Sequence, residues 1–374
     1  MSLLRMYDDP AVGGISLGCM ADRDPIEDLR RIAFLLERAH EATYRVKAFR
    51  TAAAALAALP ADEIARRSAA DTLTALPGVG EVTARCVAES LAGEEPVYLR
   101  RLLDTEGTDL DEATAALRNA LRGDCHSHSD WSDGGSPIEE MALAAVELGH
   151  EYLVLTDHSP RLTVARGLSA DRLREQLDVV ASLNDKLSEL AAQGAIKPFR
   201  LLTGIEVDIL EDGSLDQSDD LLARLDVVVA SVHSKLRAES AVMTRRMVTA
   251  LANPHMDILG HCTGRLVTGR KATGQNKRPE STFDVDAVFS AAVEYDKAIE
   301  INSRPERLDP PKRLLRRAYE LGCRFSIDTD AHAPGQLDWL PYGCARAVAC
   351  GVGPDRIVNT MPAEGLLEWT ASHE

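Results

Sequence analysis

Residues 226–234 read Asp-Val-Val-Val-Ala-Ser-Val-His-Ser. A run of valines favours an extended strand, because branching at Cβ suits a pleated surface better than a helix. The run ends on a histidine, and that ending recurs. Tyr152–Thr156 leads into Asp157-His158, and Asp257–Gly260 into His261. Arg324–Ile327 leads into Asp328-Thr329-Asp330-Ala331-His332. Phe199–Val207 contains Glu206, and Ala298–Ile301 completes the strand candidates. Helical stretches lie between them, at Pro137–Leu148, Asp171–Ala192, Ala241–Ala252, Val285–Tyr295 and Pro311–Leu321. Strand–helix alternation over some 250 residues indicates a parallel α/β architecture, for which a barrel is the natural closed form.

Six of the ten histidines fall at or just after such strand ends. Two of them, His126 and His128, belong to the segment Asp124-Cys125-His126-Ser127-His128. Residues i and i+2 of a strand point the same way, so His126 with His128, and Asp330 with His332, can each present two donors to one ion. Strand C-terminal ends of a barrel converge on one rim, where residues distant in sequence meet. Imidazoles combined with carboxylates suit zinc, manganese or iron. Asp133 lies five residues beyond His128, before Gly134-Gly135. Asp124 and Asp157 adjoin these positions, either to orient imidazoles or to make simple strand-end hydrogen bonds. His40, His150, His255 and His373 lack the setting and read as structural or exposed.

These segments resemble the PHP (polymerase and histidinol phosphatase) domain, and most nearly the C-terminal domain of bacterial family X DNA polymerases. The stretches that carry the resemblance are His-Ser-His-Ser-Asp-Trp-Ser-Asp-Gly at 126–134, Val-Leu-Thr-Asp-His-Ser at 154–159 and Gly-Ile-Glu-Val-Asp at 204–208. They continue with residues 227–234, 253–266, Ile-Glu-Ile-Asn at 299–302 and 326–332. The resemblance implies a distorted (β/α)7 barrel over 123–374 and nine ligands for two or three divalent ions (manganese, zinc or iron). His126, His128, Glu206 and Asp330 would hold one ion, and Asp133, His158 and His332 a second. Glu206 would be shared with His233 and His261 on a third. Catalysis would run through a metal-bound hydroxide held by Glu206, Asp330 and His128, attacking phosphorus in line. Arg166, Arg265 and Arg307 lie in loops expected near the same rim and are candidates for phosphate contact.

Upstream, Ile26, Leu29, Ile32, Ala33, Leu36 and Ala39 recur at helical spacing. Residues 25–92 resemble the small all-α helix-hairpin-helix domain of family X polymerases. The match rests on Tyr44-Arg45-Val46-Lys47-Ala48-Phe49-Arg50 and on Leu76-Pro77-Gly78-Val79-Gly80. The hairpin would bring Arg45 and the backbone of Gly78 and Gly80 to a DNA phosphate. Cys86 stands where lyase-active relatives carry a Schiff-base lysine, so lyase activity is not expected. Nine basic and nine acidic residues balance in this region, so its grip on DNA should be weak or local. Residues 93–122 read as a connector, too short for a polymerase palm, and no polymerase activity is expected. Residues 1–24 read as disordered or as a mis-set start.

The formal net charge of -17 opposes nucleic-acid binding unless basic residues are gathered locally. Residues 265–280, Arg-Leu-Val-Thr-Gly-Arg-Lys-Ala-Thr-Gly-Gln-Asn-Lys-Arg-Pro-Glu, gather five basic residues against one acid. No apolar run spans a membrane, and the seven cysteines form no C-x-x-C pair, as expected of a reduced cytoplasmic protein. No obligate protein partner is evident. The expected activity is metal-dependent phosphoester hydrolysis. Its substrate is DNA, attacked as a 3′→5′ exonuclease or an end-repair phosphodiesterase or phosphatase. The alternative is a small phosphomonoester of the histidinol phosphate or nucleotide kind.

Overall fold

The computed structural model describes residues 23–104, 110–268 and 277–373. They fall into two compact units, divided between Asp104 and Leu110. The expectation for residues 1–22, and Arg270 and Lys271 of the basic loop, lie outside the described residues.

Among the described residues the first unit has five α-helices: α1 Pro25–Arg38, α2 Thr43–Ala57, α3 Ala61–Ala69, α4 Glu81–Leu91 and α5 Val97–Asp104. Asp24 caps α1 by accepting from Ile26 N at 2.8 Å, and Pro25 starts the first turn, where a missing N–H costs nothing. Leu29, Ile32, Ala33 and Leu36 of α1 are buried, as are Phe49, Ala52 and Leu56 of α2 and Val87 of α4. Arg50 of α2 grips Glu37 of α1 through both carboxylate oxygens, at 3.0 and 2.9 Å. The stretch read as a connector divides: α5 packs on α1 and α4, whereas the next helix belongs to the second unit.

The second unit runs α6 (Glu112–Ala120), β1 (Gly123–Ser127), α7 (Ile138–Glu147), β2 (Tyr152–Leu155), α8 (Ala170–Ala192), β3 (Arg200–Asp208) and α9 (Asp219–Leu222). It continues with β4 (Val227–Ser231), α10 (Ser240–Leu251), β5 (Ile258–Leu259), α11 (Val285–Glu294), β6 (Ala298–Asn302) and α12 (Lys312–Leu321). It ends with β7 (Arg324–Asp328), α13 (Leu340–Ala349) and α14 (Ala363–Ala371). The strands are parallel and ordered β1 to β7, a distorted (β/α)7 barrel. Among the strands, β1 had no apolar signal, since Gly-Asp-Cys-His-Ser lacks any β-branched residue.

Two apolar layers follow from the strand alternation. Ile205, Val228, Leu259, Ile299 and Phe325 pack with α10 to α13 on the outside. Leu202, Val227, Val229, Ile258 and Ala298 face a second cluster, together with Leu366 and Trp369 of α14. That inner set turns polar along each strand: Val227 and Val229 give way to Ser231, and Ala298 to Glu300 and Asn302. Apolar filling thus gives way to chemistry at the C-terminal rim.

Between β1 and β7 no ladder closes the barrel; one parallel bridge, Ser127 to Ala331, is supplemented by side chains. Asn359 accepts from Ile327 N at 3.1 Å and donates to Ile327 O at 2.7 Å and Gly123 O at 3.0 Å. Asp328 accepts from Cys125 N at 2.8 Å. Asp124 accepts from Thr329 N and from the Thr329 hydroxyl. Among the described residues no helix is long and apolar enough to cross a membrane.

Replacing Asn359 strands three buried backbone groups at once. Asn359→Ala should lower stability by about 3 kcal/mol or more, read from the midpoint of urea unfolding. Asn359→Asp should also destabilise, because it removes both donors. A wild-type midpoint in either variant would show that the seam does not depend on this side chain.

Candidate metal centre

The C-terminal rim brings together all nine residues named from the sequence. His126 ends β1, and His128 and Asp133 follow in the next loop; His158 follows β2. Glu206 lies on β3, while His233, His261 and the pair Asp330 and His332 follow β4, β5 and β7. Glu206, 1 % exposed, is the hub. Its Oε1 lies 2.8 Å from His261 Nε2 and 3.2 Å from His233 Nε2. Its Oε2 lies 2.9 Å from His158 Nδ1, 3.3 Å from His126 Nε2 and 3.5 Å from His128 Nε2. Asp133 Oδ1 stands 3.5 Å from His158 Nε2 and 3.4 Å from His332 Nε2, while Asp330 Oδ1 stands 3.6 Å from His128 Nε2.

Among the described residues three donor groups are compact enough to hold one ion each: His128, Asp133, His158 and His332; His126, His128 and Asp330; and His158, Glu206 and His233. The grouping shares His128 and His158 between neighbours, unlike the partition implied by the resemblance. The donors fit divalent cations. His126 Nε2, both ring nitrogens of His128 and of His233, and Glu206 Oε2 are buried without an aligned hydrogen-bond partner. Such orphaned donors and acceptors are costly unless something binds them. Burial and the adjacent His332 and His158 hold the His128 pKa well below the usual value, so the imidazole stays neutral, the form in which a histidine can bind a metal. Burial opposes charge on Glu206, yet His233, His158 and His126 outweigh it and keep the carboxylate ionised. Burial likewise opposes charge on His233, but Glu206 and Asp208 lift it to about 9.

A surrounding shell fixes these donors. Glu300, fully buried on β6, places Oε1 2.6 Å from His126 Nδ1. Its Oε2 accepts from His261 N and, at 3.2 Å, from Asn302 Nδ2. Glu300 thus ties two of the nine residues together, and the sequence reading had not singled it out. The available signal was a charged residue at an inward position of a buried strand. Asp157 makes strand-end hydrogen bonds rather than touching an imidazole: it accepts from Ser129 N at 2.8 Å and from Gln176 Nε2 at 2.6 Å. Together with the Ser129 and Ser132 hydroxyls, these bonds pin the turn that presents Asp133. A Cβ on Gly134 would meet the Ser129 carbonyl oxygen at 2.6 Å, so the turn is as tight as glycine permits.

The three candidate arginines part ways. Arg166 is exposed on the β2–α8 loop, where its Nη1 reaches Asp130 O at 3.4 Å. Arg265 braces the next loop through Arg307 O at 3.1 Å and Leu308 O. Arg307 alone of the three faces the donors: its Nε lies 2.9 Å from Asp330 Oδ2, and Nε and Nη1 are buried without an aligned partner. Arg304, not anticipated, donates to Asp330 O at 2.8 Å and lies 3.1 Å from His332 Nδ1. In the first unit, Arg45 is engaged by Glu41 at 2.7 Å and the Tyr98 hydroxyl at 2.8 Å. Gly78 has the positive φ of +87° that the turn needs, and Gly80 N donates to Thr83 Oγ1 at 3.0 Å.

Residues 20–95 match the helix-hairpin-helix domain family, and residues 124–304 match the PHP domain. The chain carries both domains. A 227-residue stretch is 41% identical to the DNA polymerase/3′-5′ exonuclease PolX of Bacillus subtilis, covering 61% of this chain and 37% of that protein. A probable phosphatase of Thermoanaerobacter sp. (strain X514) is 27% identical over 248 residues, covering 63% of this chain and 89% of that protein. Among solved structures, a histidinol phosphate phosphatase of Lactococcus lactis, complexed with zinc, L-histidinol and phosphate, is 17% identical with a TM-score of 0.42. That likeness covers 62% of this chain and 94% of the other. The chain spans a little over a third of the length of the PolX protein it matches, and its PHP domain with the donor clusters at the rim is equipped for metal-dependent hydrolysis of phosphate esters.

Removing the charge that orients His126 should loosen the PHP site without unfolding it. Glu300→Gln is expected to weaken metal binding by roughly 10–100-fold in titrations of the metal-stripped protein, with circular dichroism unchanged. Unaltered affinity would remove Glu300 from the positioning shell.

Proposed function

We propose that the protein is a DNA-directed nuclease, a 3′→5′ exonuclease or an end-processing phosphodiesterase or phosphatase. In this reading the rim holds two or three manganese, zinc or iron ions. The observation that carries it is the convergence of five imidazoles on the buried Glu206, with His126 Nε2, His158 Nδ1 and both ring nitrogens of His128 and His233 lacking an aligned hydrogen-bond partner. His126, His128, Asp133, His158, Glu206, His233, His261, Asp330 and His332 are the ligands. Bound ions would supply Lewis acidity towards the phosphoryl oxygens and a nucleophilic water at neutral pH.

The chain's own groups do the rest. Arg307 pairs with Asp330 through Nε, keeps Nη1 without a hydrogen-bond partner, and is placed to meet a non-bridging phosphoryl oxygen. Arg304 holds Asp330 and His332 from behind and keeps both from swinging out of the cluster. Asp133, whose side chain is 38 % exposed, marks the side by which substrate enters, whereas Glu206 and His126 form the dry floor. The helix-hairpin-helix domain and the PolX similarity support DNA as substrate. Six described cysteines are free and buried, which supports a reducing, cytoplasmic setting.

The rival reading, hydrolysis of a small phosphomonoester, is favoured by the net charge of -17 and by the probable phosphatase that the chain covers over 89% of its length. End-labelled single- and double-stranded oligonucleotides with manganese, beside a panel of phosphomonoesters, separate the two. A ladder of shortened DNA is expected, and it should vanish in Asp330→Ala and His128→Ala with the fold retained. Intact DNA beside rapid phosphate release from a small ester would replace the nuclease reading. Full activity in either variant would sink the ligand assignment.

A further inference from the structure

Three loops interlock beside Arg307. The loop after β4 carries Lys235 and Arg237, the loop after β5 carries Arg265 and Arg278, and the loop after β6 carries Arg304 and Arg307. Ser281 Oγ donates to Leu236 O at 2.9 Å, and a Cβ on Gly264 would come within 2.8 Å of Leu236 Cδ2. Leu266 and Arg278 exchange both backbone hydrogen bonds, at 2.8 and 3.0 Å, and Val267 N donates to Glu306 O at 2.6 Å. The loops therefore hold their charged residues in one neighbourhood.

That neighbourhood is short of acid. Burial, and then Arg307 and Arg237, push the Arg278 pKa below its usual value, with Asp309 giving partial relief. The Asp309 oxygens are already occupied by Thr263 Oγ1 at 2.7 Å, Thr263 N at 3.2 Å and Arg265 N at 3.3 Å. Glu280 is taken by Arg265 and Arg313. Among the described residues Arg237 and Lys235 make no ion pair, and the Arg278 guanidinium donates only to Gly264 O. Arg304 is paired with Glu306 and Asp330, and Arg307 with Asp330, so that among the described residues Arg237 and Arg278 are the guanidinium groups of these loops with no carboxylate partner. Crowding like charges costs free energy that an arriving anion recovers, and the planar guanidinium fork suits phosphate oxygens in particular.

We infer that Arg237 and Arg278, with the outer edge of Arg307, form a second anion subsite beside the metal cluster, which holds the backbone phosphate next to the one being cleaved. This rests on the nuclease reading and narrows it: the substrate carries two neighbouring phosphates. The contacts are to phosphate and not to bases, so the subsite reads the backbone without regard to sequence. A simple monoester leaves it empty. It also supplies, on an acidic protein, the local positive charge that a nucleic-acid strand requires.

The test is inhibition of p-nitrophenyl phosphate turnover by the manganese-loaded protein. Thymidine 3′,5′-bisphosphate carries two phosphates at the spacing of backbone neighbours; thymidine 5′-monophosphate and 3′-monophosphate carry one each. The bisphosphate should inhibit at least about tenfold more strongly than either monophosphate, since it adds a charge-assisted contact. Arg278→Gln and Arg237→Gln should each shrink that ratio, and Arg278→Lys should retain part of it. Equal inhibition by all three in the wild type, or a ratio untouched by both glutamine variants, overturns the subsite. A preserved ratio with intact oligonucleotides would reject the nuclease reading while leaving the two-phosphate subsite in place.

Discussion

A carboxylate buried at the centre of a ring of imidazoles sets the terms for the rest of this protein. Burying Glu206 as an anion is affordable only because five histidines surround it, and the nitrogens of those rings that lack an aligned protein partner are the donors a cation would take. The five rings come from four strand ends, β1, β2, β4 and β5, or the loops directly after them, so the cluster exists only when the barrel does. Site and fold are therefore one problem. The barrel gathers the donors, and the donors occupy the space at the rim that apolar side chains fill lower down.

The same division of labour shows along single strands. The valines of β4 and the alanine that begins β6 fill the interior, and the next inward positions carry serine, glutamate and asparagine. Glu300 belongs to this transition layer, with one oxygen on an imidazole and the other on the His261 backbone. Asp157 does the equivalent for the Asp133 turn, through hydroxyls and an amide. These carboxylates bear no resemblance to surface charges: each is fully buried, multiply hydrogen-bonded and committed to the placement of a neighbour.

Much of this was legible in the sequence, for local reasons. Valine-rich runs report strands through their own backbone preference, and H-x-H and D-x-H report two donors on one face through a period of two. What escaped was decided by distant partners. The strand β1 has no β-branched or aromatic residue to announce it and is a strand because β2 lies alongside it. Glu300 matters through His126, 174 positions away. Arg265 and Arg307 look alike on paper, yet one spends its guanidinium on backbone carbonyls and the other turns toward Asp330. Side-chain direction in a loop is set by what the neighbouring loops leave open, and no pattern within the loop encodes that. The hairpin of the first unit shows the converse, since Gly78 adopts the positive φ that its motif required.

The seam between β1 and β7 has a consequence for how the chain is made. Gly123 finds its partner in Asn359, 236 residues later, and the inner layer is completed by Leu366 and Trp369. During synthesis on the ribosome, β1 emerges long before either, with one edge unpaired. The helical first unit builds its core from helices close in sequence, and can settle as they appear. The barrel has to wait, holding an open strand edge until β7 and Asn359 have been made. For the cell, the interval between those two events is when this protein is most exposed to mispairing.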